Sequence, residues 1–132
     1  MRKYLPIFRL TIFASFALAI LWLSLAPHPP LPKTGLLSWD KAQHAMAYAV
    51  LALLGGWALE PLMGNGLRAW RRGAAIAILY GVLLEMAQML LTRSRSAQIG
   101  DAVADAVGAL AAYFSVWLAA TLRECLKQPE GE

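Results

Sequence analysis

Four long apolar runs, separated by short polar stretches, make up most of this sequence. One helical span of a bilayer needs about 20 consecutive, mostly apolar residues, and each run approaches that length. The pattern predicts an all-α protein, a four-transmembrane-helix antiparallel bundle that forms a single membrane domain. The predicted helices cover about residues 8–26, 41–60, 73–91 and 102–122, and the charged tail 123–132 is expected to be poorly ordered.

The first run could be a signal peptide or a span that stays in the protein. Its apolar stretch is longer than the roughly 7 to 15 residues usual for a signal peptide. Pro27 follows it directly, which should hinder cleavage. We therefore predict an uncleaved helix.

Composition supports the membrane class. The chain has 132 residues, of which 59% are hydrophobic, and its mean hydropathy is +0.53. Soluble domains are closer to about half apolar. The net charge of +4 raises the question of nucleic acid, but the basic residues lie in isolated pairs between apolar runs and form no stripe. We expect a lipid bilayer as the surrounding partner, no nucleic acid and no cofactor.

The arginines and lysines predict the orientation, because short cytoplasmic loops carry an excess of them. Of the 12 basic residues, all but Lys33, Lys41, Arg93 and Arg95 lie in the two chain ends or in the linker between the second and third runs. Both termini and that linker are therefore expected in the cytoplasm. At this inner end Glu60 and Pro61 should close the second span, with Glu60 solvated and no polar cluster inside the spans.

The outer end collects most of the ionisable residues of the spans. A carboxylate inside an apolar span costs about 2.5 to 3.5 kcal/mol on insertion scales, so such groups usually face a bundle interior or a polar cavity. Residues three or four apart share a helix face, which should turn these side chains toward one another. The candidate ligand-binding residues are Asp40, Lys41, His44, Tyr48, Glu85, Gln88, Arg93, Arg95, Asp101 and Asp105.

Three motifs in this region resemble the VanZ-like family of small bacterial membrane proteins. They are Trp39-Asp40-Lys41-x-x-His44-x-x-x-Tyr48, Tyr80-Gly81-x-x-x-Glu85-x-x-Gln88, and Arg95 followed by Asp101-x-x-x-Asp105-x-x-Gly108. The resemblance covers about residues 24–120 and implies a multi-pass protein of the bacterial cytoplasmic membrane. The founding member is associated with low-level resistance to the glycopeptide teicoplanin. Asp105 departs from the family, which often has asparagine there, so it should be protonated or compensated by a nearby arginine or lysine.

Three functions remain open for the outer site. It could be a clasp that holds the helix ends in register, since Lys41, Arg93 and Arg95 nearly balance the carboxylates. It could bind a lipid-linked cell-wall precursor or a glycopeptide, with those basic residues on its anionic group and with His44 and Glu85 on its polar part. It could also be an acid/base enzyme or a proton-coupled carrier using His44 or Glu85. No metal site is expected, because the basic residues would repel the ion.

Overall fold

The computed structural model describes residues 4–26, 40–64, 66–91 and 98–127. These residues form four α-helices: α1 (Leu5–Leu25), α2 (Asp40–Met63), α3 (Gly66–Leu91) and α4 (Ile99–Lys127). All four are long and apolar enough to cross a membrane. The structure confirms the predicted all-α, four-helix fold, and the chain is a multi-pass membrane protein.

Consecutive helices run antiparallel, and α2 is the helix that packs against all the others. Helix α1 packs on α2 and more lightly on α3, and none of its described residues contacts α4. Helices α2 and α4 both begin at the same end of the bundle. The first turns of α2 and α4 therefore lie side by side, next to the last turns of α1 and α3.

Glycines allow the helix backbones to approach closely around α2. A Cβ atom on Gly55 would lie 3.1 Å from the Cα atom of Gly73 in α3, and Gly108 of α4 packs directly against the carbonyl oxygen of Ala45. Small residues serve this purpose in membrane bundles, where helix association depends on close van der Waals packing. The contact at Gly108 brings the polar residues one turn away, on α2 and α4, within reach of one another.

Several helix ends extend beyond the predicted bounds, among them the start of α1 at Leu5 and the start of α4 at Ile99. Helix α3 begins at Gly66 instead of residue 73, and α4 continues to Lys127 instead of ending at residue 122. The added turns are polar, and a helix continues into the headgroup region without apolar residues because long basic side chains reach water from there. Helix α2 continues through Pro61 to Met63, and Gly64 ends it with a φ of 65° and an N–H bond to the carbonyl of Glu60.

Pro61 lacks an N–H group, so the helix cannot supply a donor to the carbonyl of Trp57, four residues earlier. Arg9 of α1 fills this gap: its Nη1 donates to the Trp57 oxygen at 3.0 Å. The same guanidinium lies 3.3 Å from the Glu60 carboxylate and 4.8 Å from the centre of the Trp57 ring. The Glu60 side chain is 44% exposed, as expected for a residue near the helix end, but α1 brings it a charged partner that spacing along α2 does not reveal.

Two side chains of α3 hold the other half of α1. The hydroxyl of Tyr80 donates to the carbonyl of Ala17 at 2.7 Å, and the amide of Gln88 donates to the carbonyl of Ser24 at 2.9 Å. Ile20 is the one described residue of α1 that is buried. Helix α1 is thus positioned by a small apolar contact and by hydrogen bonds near each end.

The Arg9–Trp57 bond can be isolated with a double-mutant cycle. Arg9→Ala should lower the free energy of unfolding by about 1 kcal/mol, because it leaves a polar acceptor unsatisfied. In a Pro61→Ala background the restored N–H can donate to the same carbonyl, so Arg9→Ala should cost less. Unfolding in mixed detergent micelles, followed by circular dichroism, measures all four proteins.

The Glu60 and ring contacts of Arg9 are present in both backgrounds, so the difference between the two costs reports the carbonyl bond. Equal costs in the two backgrounds would contradict the assignment.

Candidate functional site

Eight of the ten predicted site residues are described, and the helices bring them together at one end of the bundle. We call this set the polar cluster: Asp40, Lys41, His44, Tyr48, Glu85, Gln88, Asp101 and Asp105. The other two, Arg93 and Arg95, lie outside the described residues. Glu85, Gln88, Asp101 and Asp105 are buried, between 2% and 9% exposed, which fits the expectation that their side chains face the bundle interior.

The first ion pair of the cluster joins the starts of α2 and α4. The Nζ atom of Lys41 lies 2.9 Å from Oδ1 of Asp101. Gly100 makes room for this approach, since a Cβ atom there would lie 2.8 Å from the same Nζ. Asp101 is in the first turn of α4, where the helix dipole favours a negative charge. The pair is partly open to solvent, because the Lys41 side chain is 38% exposed.

The second pair lies one turn deeper and is more enclosed. Nδ1 of His44 is 2.8 Å from Oδ1 of Asp105, whose side chain is 2% exposed. Gly81 of α3 provides the space, because a Cβ atom there would lie 2.7 Å from Oδ2 of Asp105 and 2.9 Å from the ring of Tyr48. The partner of Asp105 is therefore a histidine, where the sequence analysis expected protonation or an arginine or lysine.

His44 also faces the other aspartate of α4. Its Nε2 atom lies 4.0 Å from Oδ2 of Asp101. Lys41 contacts the other oxygen of that carboxylate, Oδ1. Asp101 and Asp105 are four residues apart and so share a face of α4. The imidazole ring of His44 is placed between these two carboxylates.

Glu85 and Gln88 have structural partners in this arrangement. Oε2 of Glu85 accepts a hydrogen bond from the backbone N–H of Gln98 at 3.2 Å, just before α4 begins. N–H groups at a helix start have no partner within the helix, so Glu85 satisfies one of them from a neighbouring helix. Gln88 satisfies a backbone group of another helix in the same way, because it donates to the Ser24 carbonyl at the end of α1.

A groove between α1 and α2 opens beside His44, with a cavity of about 80 Å³. Sequence reasoning missed five of its eight lining residues, three of them on α1, which has no polar pattern that marks a site. Gln43 could have been found, since it lies on the same face of α2 as Asp40 and Ala47. We call this feature the α1/α2 groove; it is lined by Ile20, Leu23, Ser24, Asp40, Gln43, His44, Ala47 and Tyr48.

The polar cluster is rich in carboxylates. Its described charges are four carboxyl groups, one ammonium group on Lys41 and the imidazole of His44. Such a site attracts cations and hydrogen-bond donors. A thiol–imidazole pair is excluded, because Cys125 is exposed near the far end of α4, at the opposite end of the bundle from His44.

Comparison with known proteins adds no assignment: no family model, no curated protein and no solved structure matches this chain. The function has to be inferred from the site itself.

The contact between His44 and Asp105 predicts different outcomes for two substitutions. Asp105→Ala removes the buried partner of His44 and should lower the free energy of unfolding by about 1 to 3 kcal/mol. Asp105→Asn keeps an oxygen that can accept from Nδ1–H, so it should cost less. Thermal unfolding in detergent gives both values.

Lys41→Ala is the comparison for these variants. It breaks an ion pair of similar length that is partly solvated, and it should cost less than Asp105→Ala. If Lys41→Ala lowers the free energy of unfolding as much as Asp105→Ala does, the deeper pair contributes no more to stability than the solvated pair, and the prediction is wrong.

Proposed function

We propose that this protein is a VanZ-like component of the bacterial cytoplasmic membrane that binds an amphiphilic, lipid-linked or cell-wall-related ligand in the α1/α2 groove. The observation that carries the proposal is the change of chemistry along the groove. Ile20, Leu23 and Ala47 give it an apolar wall, and Asp40 and His44 give it a polar end.

The polar end of the groove lies at the start of α2 and the apolar wall lies deeper in the bundle, which is the arrangement that a membrane lipid requires. Asp40 is the first residue of α2, and Tyr48 lies about 12 Å further along the helix at 1.5 Å per residue. A lipid whose chain lies along the apolar wall would present its headgroup to Asp40 and His44, at the helix ends. Ligand sites are commonly mostly apolar with a small number of placed polar groups.

The polar end of the groove favours particular parts of a headgroup. A carboxylate and an imidazole recognise hydroxyl, amide N–H and ammonium groups, all of which occur in sugars and peptides. Lys41 is less suited to an anionic group than the sequence suggested, because Asp101 already holds its ammonium. A phosphate would instead rely on Arg93 and Arg95. Binding of a wall precursor is also the route by which this protein would influence susceptibility to teicoplanin-type glycopeptides.

A structural clasp is the second candidate. It is favoured by the pairs Lys41–Asp101 and His44–Asp105 and by the Glu85 contact to the start of α4. These contacts join α2, α3 and α4 at one end. A clasp does not account for the groove, to which α1 contributes apolar side chains.

The proposed ligand requires the polar cluster to lie on the outer side of the membrane. In the described residues the opposite end carries six basic side chains, Arg9, Arg68, Arg71, Arg72, Arg123 and Lys127, and the cluster end carries Lys41. Because basic residues stay on the cytoplasmic side, this distribution supports cytoplasmic termini.

Orientation is tested with fusions to a reporter that is active only outside the cytoplasm. A fusion after Ser96 should be active, and a fusion after Arg72 should be inactive. The reverse pattern would place the polar cluster in the cytoplasm and would overturn the proposal of an outer ligand.

Ligand binding is tested by native mass spectrometry of protein extracted with its surrounding lipids. The wild-type protein should retain a lipid-linked or wall-derived molecule that is enriched over bulk phospholipid. Ala47→Trp fills the groove and should lose that molecule. Ala119→Trp adds the same side chain at an exposed position of α4 and should retain it.

Recovery of bulk phospholipids alone from the wild-type protein would contradict the binding proposal. Equal retention by the Ala47→Trp and Ala119→Trp proteins would also contradict it and would favour the clasp.

A further inference from the structure

We propose that Asp40, His44 and Asp101 form a binding site for a divalent first-row transition cation of the Zn²⁺ or Mn²⁺ type. One potential ligand atom from each of these residues lies within 4.8 Å of those of the other two. The set combines one imidazole nitrogen with two carboxylate oxygens. Imidazole suits Zn²⁺ and related ions, and carboxylates suit Mn²⁺ as well.

The spacing leaves room for an ion. Nε2 of His44 and Oδ2 of Asp101 are 4.0 Å apart, too far for a hydrogen bond. Zinc–nitrogen and zinc–oxygen distances are about 2.0 to 2.2 Å, so an ion between these two atoms would lie near bonding distance of both, and rotation of the side chains would have to bring them to a tetrahedral angle. Asp40 is one turn before His44 on the same face of α2, which brings the third ligand to the same side.

The other nitrogen of His44 is held in the way that metal-binding histidines usually are. Nδ1 lies 2.8 Å from the Asp105 carboxylate. An ionised carboxylate only accepts hydrogen bonds, so Nδ1–H would donate to Asp105, and the neutral form of the ring would then offer the lone pair of Nε2 to an ion. A carboxylate behind a ligating histidine fixes the tautomer and the orientation of the ring. Asp105 is therefore a positioning residue for this site.

Lys41 does not occupy the proposed position. Its ammonium lies 2.9 Å from Oδ1 of Asp101, whereas the His44 side of that carboxylate is Oδ2. The sequence argument against a metal was repulsion by interleaved basic residues. This repulsion is weakened for Lys41, because its charge is offset by the four carboxyl groups of the polar cluster.

A second set, His44 with Glu85 and Asp105, has similar spacing. An ion there would compete for Asp105, which already contacts Nδ1 of His44 at 2.8 Å. The set with Asp40 and Asp101 leaves that contact in place. It also borders the α1/α2 groove, because Asp40 and His44 line that cavity, which provides a path for the ion and space for further ligands.

The test uses full-length protein in detergent, with any polyhistidine tag removed and with metals stripped by a chelator. Titration calorimetry with ZnCl₂ and with MnCl₂ should show about one ion bound per chain for at least one of the two metals. His44→Ala and Asp101→Asn should each weaken binding at least about tenfold. Glu60→Gln removes a carboxylate at the opposite end of the bundle and should bind like the wild type.

X-ray absorption at the edge of the metal bound by the wild-type protein provides a readout that needs no folded variant. It should show one imidazole among oxygen ligands. The proposal fails if neither metal binds in a saturable manner, if His44→Ala and Asp101→Asn bind as tightly as the wild type, or if the absorption spectrum shows no nitrogen donor.

Metal binding does not depend on the proposed ligand, because the titration contains none. Ala119→Trp, which leaves the groove and all three ligand residues unchanged, should bind the metal like the wild type. Metal binding without any retained lipid would leave this inference standing and overturn the proposed function alone, whereas a retained lipid without metal binding would do the reverse.

Discussion

The polar end of this bundle depends on the contact between His44 and Asp105. Asp105 is almost completely buried, and a charged group in that position is tolerated only when a partner satisfies it. Glycines provide the space: Gly81 leaves room beside the carboxylate, and Gly108 lets α4 approach the backbone of α2. The contact fixes α2 and α4, which are not consecutive in the chain, at the depth where the remaining polar residues meet.

A common constraint explains both ends of the molecule. Inside a bilayer, backbone groups without a helical partner have to be satisfied by the protein itself. Arg9 donates to the carbonyl freed by Pro61, Gln88 donates to a carbonyl at the end of α1, and Glu85 accepts from the backbone just before α4. Side chains that looked like isolated charges in the sequence thus complete the hydrogen bonding of neighbouring helices.

The sequence was sufficient for those features that follow from periodicity. Apolar length predicts the four helices, and spacing along each helix predicts which faces of α2, α3 and α4 carry polar groups. Contacts between helices could not be predicted in the same way. Arg9 is far from Glu60 in the chain, and Ile20 has no polar neighbour that would mark it as part of a groove. The carbonyl that Pro61 leaves without a helical donor is bonded by Arg9, which lies outside the local sequence.

Charge balance bears on the choice between a clasp and a site, and Arg93 and Arg95, which lie outside the described residues, also enter that balance. A self-contained clasp should be close to neutral, because buried charges are stable only when they are paired. The described cluster has four carboxyl groups, but Lys41 and His44 contact just two of them, Asp101 and Asp105. Glu85 uses one oxygen on a backbone N–H, and Asp40 faces the groove. Among the described residues, Asp40 is therefore the carboxylate that places negative charge where the groove meets His44. A cation or a headgroup rich in hydrogen-bond donors would be stabilised at that position, and the contacts that hold the helices together are the same ones that orient His44 toward it.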